Sequence, residues 1–223
     1  MLTGVYRPAH FSVDDPAGLL AVLLSEHVAT LVSALPGGME VSLLPLLWAP
    51  ERGEHGVLQG HLARANPHAA AGDGHPAVAV VTGVEGYVSP SWYASKAEHG
   101  RVVPTWDYVT AVATGTLRVR DDPAWLRDLL SRLTDRHEEG RAAPWAVTDA
   151  PEAFVNAQLR GIVGVELEVE RIEAKTKLSQ NRAPADVAGV VAGLAAGDAR
   201  ARALGEAVRA ANPTARTSPA DAG

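Results

Sequence analysis

The chain has 223 residues, of which 47% are hydrophobic and 21% charged, with a net charge of −6 and no cysteine. That length fits one large domain with an appended segment. The missing cysteine excludes disulfides, thiolate catalysis and Cys-based metal or iron–sulfur sites, and the acidic balance argues against a broad nucleic-acid footprint, which needs clustered Lys and Arg. No stretch approaches the ~18 consecutive apolar residues of a membrane span. The N-terminus MLTGVYRPAHF lacks a basic region followed by an apolar run, so no secretory signal is expected and the expected location is cytoplasmic.

In chain order, the first element is a helix near 15–26, announced by Asp14-Asp15-Pro16. An N-cap Asp accepts the free amide hydrogens of the first turn, and Pro at the first helical position loses nothing by lacking an N–H. Strands over 28–34 and 39–47 flank a Pro36-Gly37-Gly38 turn, a hairpin pattern. Further strands are expected at 57–63, 77–83, 87–89 and 102–120, the last long enough that Pro104 and Gly115 predict bends or bulges that curl a sheet. Asp121-Asp122-Pro123 and Asp149-Ala150-Pro151 start helices over 122–138 and 150–160, with Asp149 and Glu152 spaced as a capping box. In 162–173, Val163, Val165, Leu167 and Val169 alternate with Gly164, Glu166, Glu168 and Glu170, predicting a strand with an apolar face and an acidic, solvent-facing one. A weaker helix over 184–210 carries Gly189, Gly193, Gly197 and Gly205, which suit a loosely held surface helix.

Hairpins lead, helices are inserted at the edges and no regular strand–helix alternation appears. The fold class is therefore α+β, built on an antiparallel barrel. The expected division is a barrel domain with inserted helices over 1–182, a C-terminal helical segment over 183–211 and a disordered tail over 212–223.

Tyr87, Trp92, Tyr93, Trp106 and Tyr108 fall within 22 residues, interleaved with Ser89, Ser91, Ser95, Lys96 and Thr105. Flat rings beside hydroxyl and ammonium donors suit a planar, phosphorylated guest; the alternative is a core aromatic cluster. In Gly60-His61-Leu62-Ala63-Arg64-Ala65-Asn66-Pro67, His61 and Arg64 fall after a strand where both can hold a phosphate, unless they are a structural His beside a surface Arg. Lys175-Thr176-Lys177-Leu178-Ser179-Gln180-Asn181-Arg182 is dense in amide and basic groups; Lys177, Gln180 and Asn181 supply donors that the pyrimidine edge of a flavin would use, the alternative being a solvated loop. The only lysines are Lys96, Lys175 and Lys177, all inside these segments. No phosphate-binding glycine loop, zinc helix or nucleophile elbow occurs, and His137-Glu138-Glu139 reads as a helix terminus, so no catalytic residue and no metal site is assigned.

These residues resemble the PaiB-like FMN-binding negative transcriptional regulators. The likeness runs from Tyr6-Arg7-Pro8-Ala9-His10-Phe11 to about Leu194, through Gly60–Pro67, Tyr87–Tyr108, Gly115-Thr116-Leu117, Pro144-Trp145-Ala146-Val147 and Lys177–Arg182. It implies a split β-barrel of the flavin-reductase and pyridoxamine-oxidase-like kind, a homodimer with FMN between subunits, and cofactor contacts from the motif residues His61, Arg64, Asn66, Ser89, Ser91, Trp92, Tyr93, Ser95, Lys96, Thr105, Trp106, Lys177, Gln180 and Asn181. Two positions depart from the family pattern. Leu43 stands where a His-Leu-Pro triplet begins, and Thr176 stands where a Trp separates the two lysines.

The resemblance implies a regulator of transcription, acting indirectly through bound flavin because direct DNA binding sits poorly with the charge. The alternatives are an FMN-dependent oxidoreductase acting on a nicotinamide or small organic substrate, and a barrel that has exchanged FMN for another planar ligand.

Overall fold

The computed structural model describes residues 4–213, and its backbone falls into two units that are taken separately. The sheet unit comprises Ala17–Val81 and Ala111–Glu173; the aromatic unit comprises the chain up to Pro16, Thr82–Thr110 and the chain from Ala174 onward.

The sheet unit begins with α1 (Pro16–Glu26), which buries Leu20, Leu23 and Leu24. A hairpin follows, β1 (Ala29–Leu35) and β2 (Gly38–Leu44), with Ala29 opposite Leu44 and Leu35 opposite Gly38. The predicted strand 39–47 is two strands. Pro45 has no N–H to give a ladder, so β2 ends at Leu44 and β3 (Leu47–Ala49) pairs instead with β4 (Val57–Ala63).

This split determines the barrel. The strand order is β2-β1-β5-β6-β7-β4-β3, so β2 and β3 occupy opposite edges. Only Pro45 and Leu46 lie between them, a span of at most about 11 Å. The sheet must therefore curl until its edges nearly meet. Gly60 on β4 permits that approach: a Cβ there would lie 2.7 Å from Leu46 and 3.0 Å from Leu44.

The remaining long strands are β5 (Pro76–Val88), β6 (Thr105–Arg120) and β7 (Ile162–Lys177), each contributing residues to both units. β5 joins the two short strands expected at 77–83 and 87–89. β6 runs unbroken through Gly115, where a Cβ would lie 1.9 Å from the Glu168 carbonyl oxygen, so the glycine serves close backbone approach. Two short helices, α2 (Pro67–Ala71) and α3 (Ser95–His99), lie between the expected strands, where no element was expected.

The helix α4 (Pro123–Glu138) starts as expected, with the Asp122 carboxylate accepting from Ala124 N and Trp125 N, and it buries Leu126, Leu129 and Leu133. The expected capping box does not form. Asp149 turns back to accept from Ala146 N at 2.9 Å, and α5 (Glu152–Leu159) begins after Pro151 without a side-chain cap.

In the aromatic unit, the predicted helix 184–210 is two helices, α6 (Pro184–Ala195) and α7 (Ala199–Ala211), the second capped by Asp198. The glycines of α6 do not mark a loose helix. A Cβ on Gly189 would lie 1.9 Å from Trp92 O, and one on Gly193 2.4 Å from the Trp92 ring, so both are small because Trp92 packs there. The expected disordered tail falls, from residue 214 on, outside the described residues. Among the described residues, no helix is long and apolar enough to cross a membrane.

Candidate functional site

The aromatic segment is built around the end of β5 and the start of β6. A short 3-10 turn, Pro90–Trp92, opens with Ser89 Oγ accepting from Ser91 N at 3.2 Å. Trp92 lies against Gly189 and Gly193, while Tyr93 is buried with the Arg182 guanidinium 4.5 Å from its ring centroid. Burial pushes the Tyr93 phenol up, so it stays protonated at neutral pH. Ser95 is held by Asp186, whose carboxylate accepts from Ser95 N at 2.9 Å and Oγ at 2.8 Å. Lys96 is exposed; its Nζ gives one hydrogen bond, to Ser91 Oγ at 3.2 Å, which leaves two of its three donors to a ligand or water.

Trp106 and Tyr87 are half exposed, edge to face with centroids 6.3 Å apart. The Trp106 indole donates to Glu85, which also pairs with Arg200. Two clefts open beside these rings. One of about 330 Å³ is lined by Glu85, Trp106 and Tyr108; one of about 230 Å³ is lined by Tyr87, Trp92, Trp106 and Arg200.

The loop after β7 meets this segment from below, but its donors are spent on the protein. Lys177 Nζ gives hydrogen bonds to Thr105 Oγ1 (2.6 Å), Trp106 O (2.6 Å) and Asp107 Oδ1 (3.1 Å). Those bonds use all three of its protons. The fully buried Asp107 takes its other bond from Ser179 Oγ at 2.6 Å. Gln180 accepts from Leu178 N and donates to Thr176 O, both at 2.7 Å. Thus Lys177 and Ser179 clip the start of β6 around Trp106, while Gln180 ties the loop to Thr176, and in this arrangement the donors of Lys177 and Gln180 face protein acceptors. Asn181 is exposed beside them. Lys175, also turned inward, sits among the rings of Tyr6, Phe11 and Tyr108 at 5.3–5.8 Å and donates to Tyr6 O.

His61, Arg64 and Asn66 belong to the sheet unit. Arg64 is committed to protein acceptors: a bidentate pair with Asp121 (2.7 and 2.8 Å) and bonds to Arg160 O and Ile162 O. Asp121 in turn is held below the usual carboxylate range by that hydrogen bond. Asn66 caps α2 through His68 N and donates to Ser42 Oγ at 2.9 Å. His61 lines a cleft of about 290 Å³ with Pro45, Leu133, His137, Glu138 and Trp145, and burial pushes its imidazole toward the neutral form. Among the described residues, its enclosed Nδ1 meets no hydrogen-bond partner. Of the two departures, Leu43 is exposed on the outer face of β2, and Thr176 is tied to Gln180.

Residue type alone did not point to Glu85, which accepts from Trp106 and pairs with Arg200, or to a hub around Glu166. Glu166 is 1% exposed although it lies on the strand face read as solvent-facing. It accepts from Arg52, from Gln59 Nε2 at 2.7 Å and from Arg120 Nε at 2.6 Å. Burial works to raise its pKa, and these hydrogen bonds outweigh burial and hold it below the ordinary Glu value. Sequence carried one signal for it: Thr116, Arg118 and Arg120 on β6 alternate in step with Glu170, Glu168 and Glu166 on β7, and the structure bonds them pairwise.

A family described as "Putative FMN-binding domain" matches residues 5–171. The chain belongs to this family. A protein of Bacillus subtilis (strain 168), the protease synthase and sporulation protein PAI 2, is 28% identical over 84% of this chain and 87% of its own length. An uncharacterized protein of Emericella nidulans, AN0679, is 29% identical over 86% of this chain and 89% of its own. Among solved structures, the FAD and heme binding protein from Mycobacterium smegmatis superposes with a TM-score of 0.53 at 22% identity over 76% of this chain and 75% of that one. The flavocytochrome Anf3 from Azotobacter vinelandii gives 0.54 at 15% identity over 78% and 72%. These likenesses support the fold class read from the sequence, an antiparallel α+β split barrel.

Family membership makes FMN the cofactor to test against the residues present, and they fit. Half-exposed rings at Trp106 and Tyr87, with Trp92 lining the same cleft, offer flat apolar surface. Ser91 and Lys96, adjoining Trp92, offer a hydroxyl and an ammonium with open donors.

Proposed function

We propose that this chain binds FMN in the aromatic unit and serves as a flavin-dependent regulatory protein of the PaiB type, acting through its bound flavin instead of by reading DNA. The observation that carries the reading is the family match across 5–171. Trp92, Trp106 and Tyr87 would face the ring, and Ser91, Lys96 and Asn181 would meet its polar groups. When bound, a flavin supplies hydride and electron transfer that no side chain offers. The protein's own part is to fix Trp106 through the Lys177 clip and to hold Lys96 at the surface beside Ser91. The net charge of −6 favours an indirect route to transcription.

Absorbance of the purified protein, with mass analysis of whatever it releases, tests this directly. A yellow protein releasing FMN, with the colour weakened in Trp106→Ala, is the expected result. A colourless protein that FMN does not quench, or a salt-sensitive and sequence-specific shift of promoter DNA, would count against it. Anaerobic bleaching by NADPH with reoxidation by an organic acceptor would instead favour the oxidoreductase reading.

A second copy of the chain is the proposed partner. On the outer face of the sheet unit, Leu43, Thr30 and Val80 lie in one cross-strand row and Val41, Val32 and Val78 in the next, with Met39 beside Ala34. Met39, Val41 and Leu43 are 53–68% exposed. A water-facing sheet surface ordinarily alternates to polar residues, and these eight positions carry no charge that would oppose pairing with itself.

A further inference from the structure

The sheet unit holds a second polar cleft, of about 830 Å³, that the flavin reading does not use. Its floor is the Glu166 hub, and its walls include Arg52, Arg120, Arg132, Glu51 and Trp125. We infer that this cleft binds a small oxyanion, a carboxylate or a phosphate, on the guanidinium groups of Arg52, Arg120 and Arg132.

The three arginines come from different elements, the turn after β3, the end of β6 and the middle of α4, yet they converge through one chain of hydrogen bonds. Arg52 and Arg120 each engage one oxygen of Glu166. Gln59 donates to Glu166 at 2.7 Å and accepts from Arg132 Nη1 at 3.0 Å, so the third guanidinium joins the same hub. Arg132 Nε is held by Asp128 at 2.8 Å. Each guanidinium has five N–H donors. Arg52 and Arg120 each spend one on the hub and Arg132 spends two on Asp128 and Gln59. All three side chains are 41–43% exposed, so the unspent donors have access to the cleft. Anchored forks with open donors are the arrangement that holds an oxyanion without first having to order the side chains.

Charge decides whether an anion is welcome. Three arginines face five carboxylates in the lining, Glu51, Asp121, Asp122, Asp128 and Glu166. Four of these are occupied: Asp121 by Arg64, Asp122 by the amides of α4, Asp128 by Arg132, and Glu166 by the hub. Arg52, Arg120 and Arg132 exceed Glu166 and Asp128, the two carboxylates they bond, by one positive charge. Glu51 also lines the cleft, and it predicts a preference for ligands of modest negative charge over polyanions. The cleft volume lies in the range of small-molecule sites.

The test uses the full chain as purified, with its flavin content recorded. Succinate and inorganic phosphate are titrated separately by calorimetry, and Arg132→Gln is the variant, since it leaves both Glu166–arginine pairs intact. Saturable binding of either probe, weakened about tenfold in Arg132→Gln, is expected; that ratio corresponds to about 1.4 kcal/mol. Which probe binds tells carboxylate from phosphate. No saturable binding of either probe, or equal binding by the variant, overturns the inference. So does competition by FMN but not by riboflavin, which would make the cleft the flavin's own phosphate seat. Because flavin colour is read independently, a colourless protein that still binds succinate would sink the flavin proposal alone.

Discussion

Replacing Glu166 by Gln should destabilise the sheet unit at neutral pH and should stop doing so in acid. The carboxylate is 1% exposed and takes charge-assisted hydrogen bonds from Arg52 and Arg120 as well as one from Gln59. Bonds of that type contribute about 1.5–3 kcal/mol each. Both guanidiniums are 41–43% exposed, so water recovers part of what they lose. A Gln keeps one acceptor and turns an NH₂ toward a donor, giving a net cost of about 2–3 kcal/mol. For a chain of this size that corresponds to a fall in Tm of about 4–12 °C.

The pH dependence follows from the direction of the shift. The folded carboxyl is held below its ordinary value, so its stabilisation is fully present above the unfolded pKa of about 4.3 and is lost as pH falls through the lower folded pKa. Thermal unfolding of the native chain and Glu166→Gln, followed by circular dichroism at pH 7 and at steps below pH 4, measures the gap. The two proteins should converge as pH drops. Equal stability at pH 7, or a gap that persists unchanged in acid, would refute the hub as a source of stability.

Gly193→Ala should cost about 1–3 kcal/mol by overpacking, because its Cβ would meet the Trp92 ring at 2.4 Å; urea unfolding followed by Trp fluorescence reads it. Leu43→Asp places a charge in the apolar outer face and should convert a dimer to a monomer in light scattering, while a dimer that survives would move the interface elsewhere. His68 is fully buried, its Nδ1 2.8 Å from Ser42 Oγ, and burial depresses its pKa. Its neutral form therefore contributes stability above the unfolded pKa of about 6.5 that is lost as pH falls through the folded value, so His68→Asn should flatten the stability profile between pH 7 and 5.

Much of the barrel was legible because local chemistry and final position agree. The turn at 36–38, the strand at 57–63 and the Asp122-Pro123 helix start are each set by residues within a few positions of themselves. Where the reading went astray, a distant partner decided. Pro45 fell inside the strand expected over 39–47, and it is the corner at which the chain passes from one edge of the sheet to the other. The glycines of α6 looked like helix weakeners, and they are the socket for Trp92, about a hundred residues earlier in the chain. Glu166 looked solvent-facing by alternation, since nothing within its own strand announces that Arg52 and Arg120 neutralise it.

For the candidate site, residue type was a weaker guide than the number of donors left over. Lys96, Lys175 and Lys177 are chemically identical, and all were plausible partners for an anion. Lys177 gives its three protons to Thr105, Trp106 and Asp107, and Lys175 is enclosed by rings. Among the described residues, Lys96 is exposed and gives one hydrogen bond, to Ser91. The same subtraction sets Arg64, with four bonds to Asp121 and two carbonyls, apart from Arg52 and Arg120, each with one bond to Glu166. A cation contributes to ligand affinity in proportion to the donors its own protein leaves unused. By that measure the exposed ammonium of the aromatic unit is Lys96, and Arg52 and Arg120 of the sheet unit, which give fewer bonds to the protein than Arg64, lie in the cleft above Glu166.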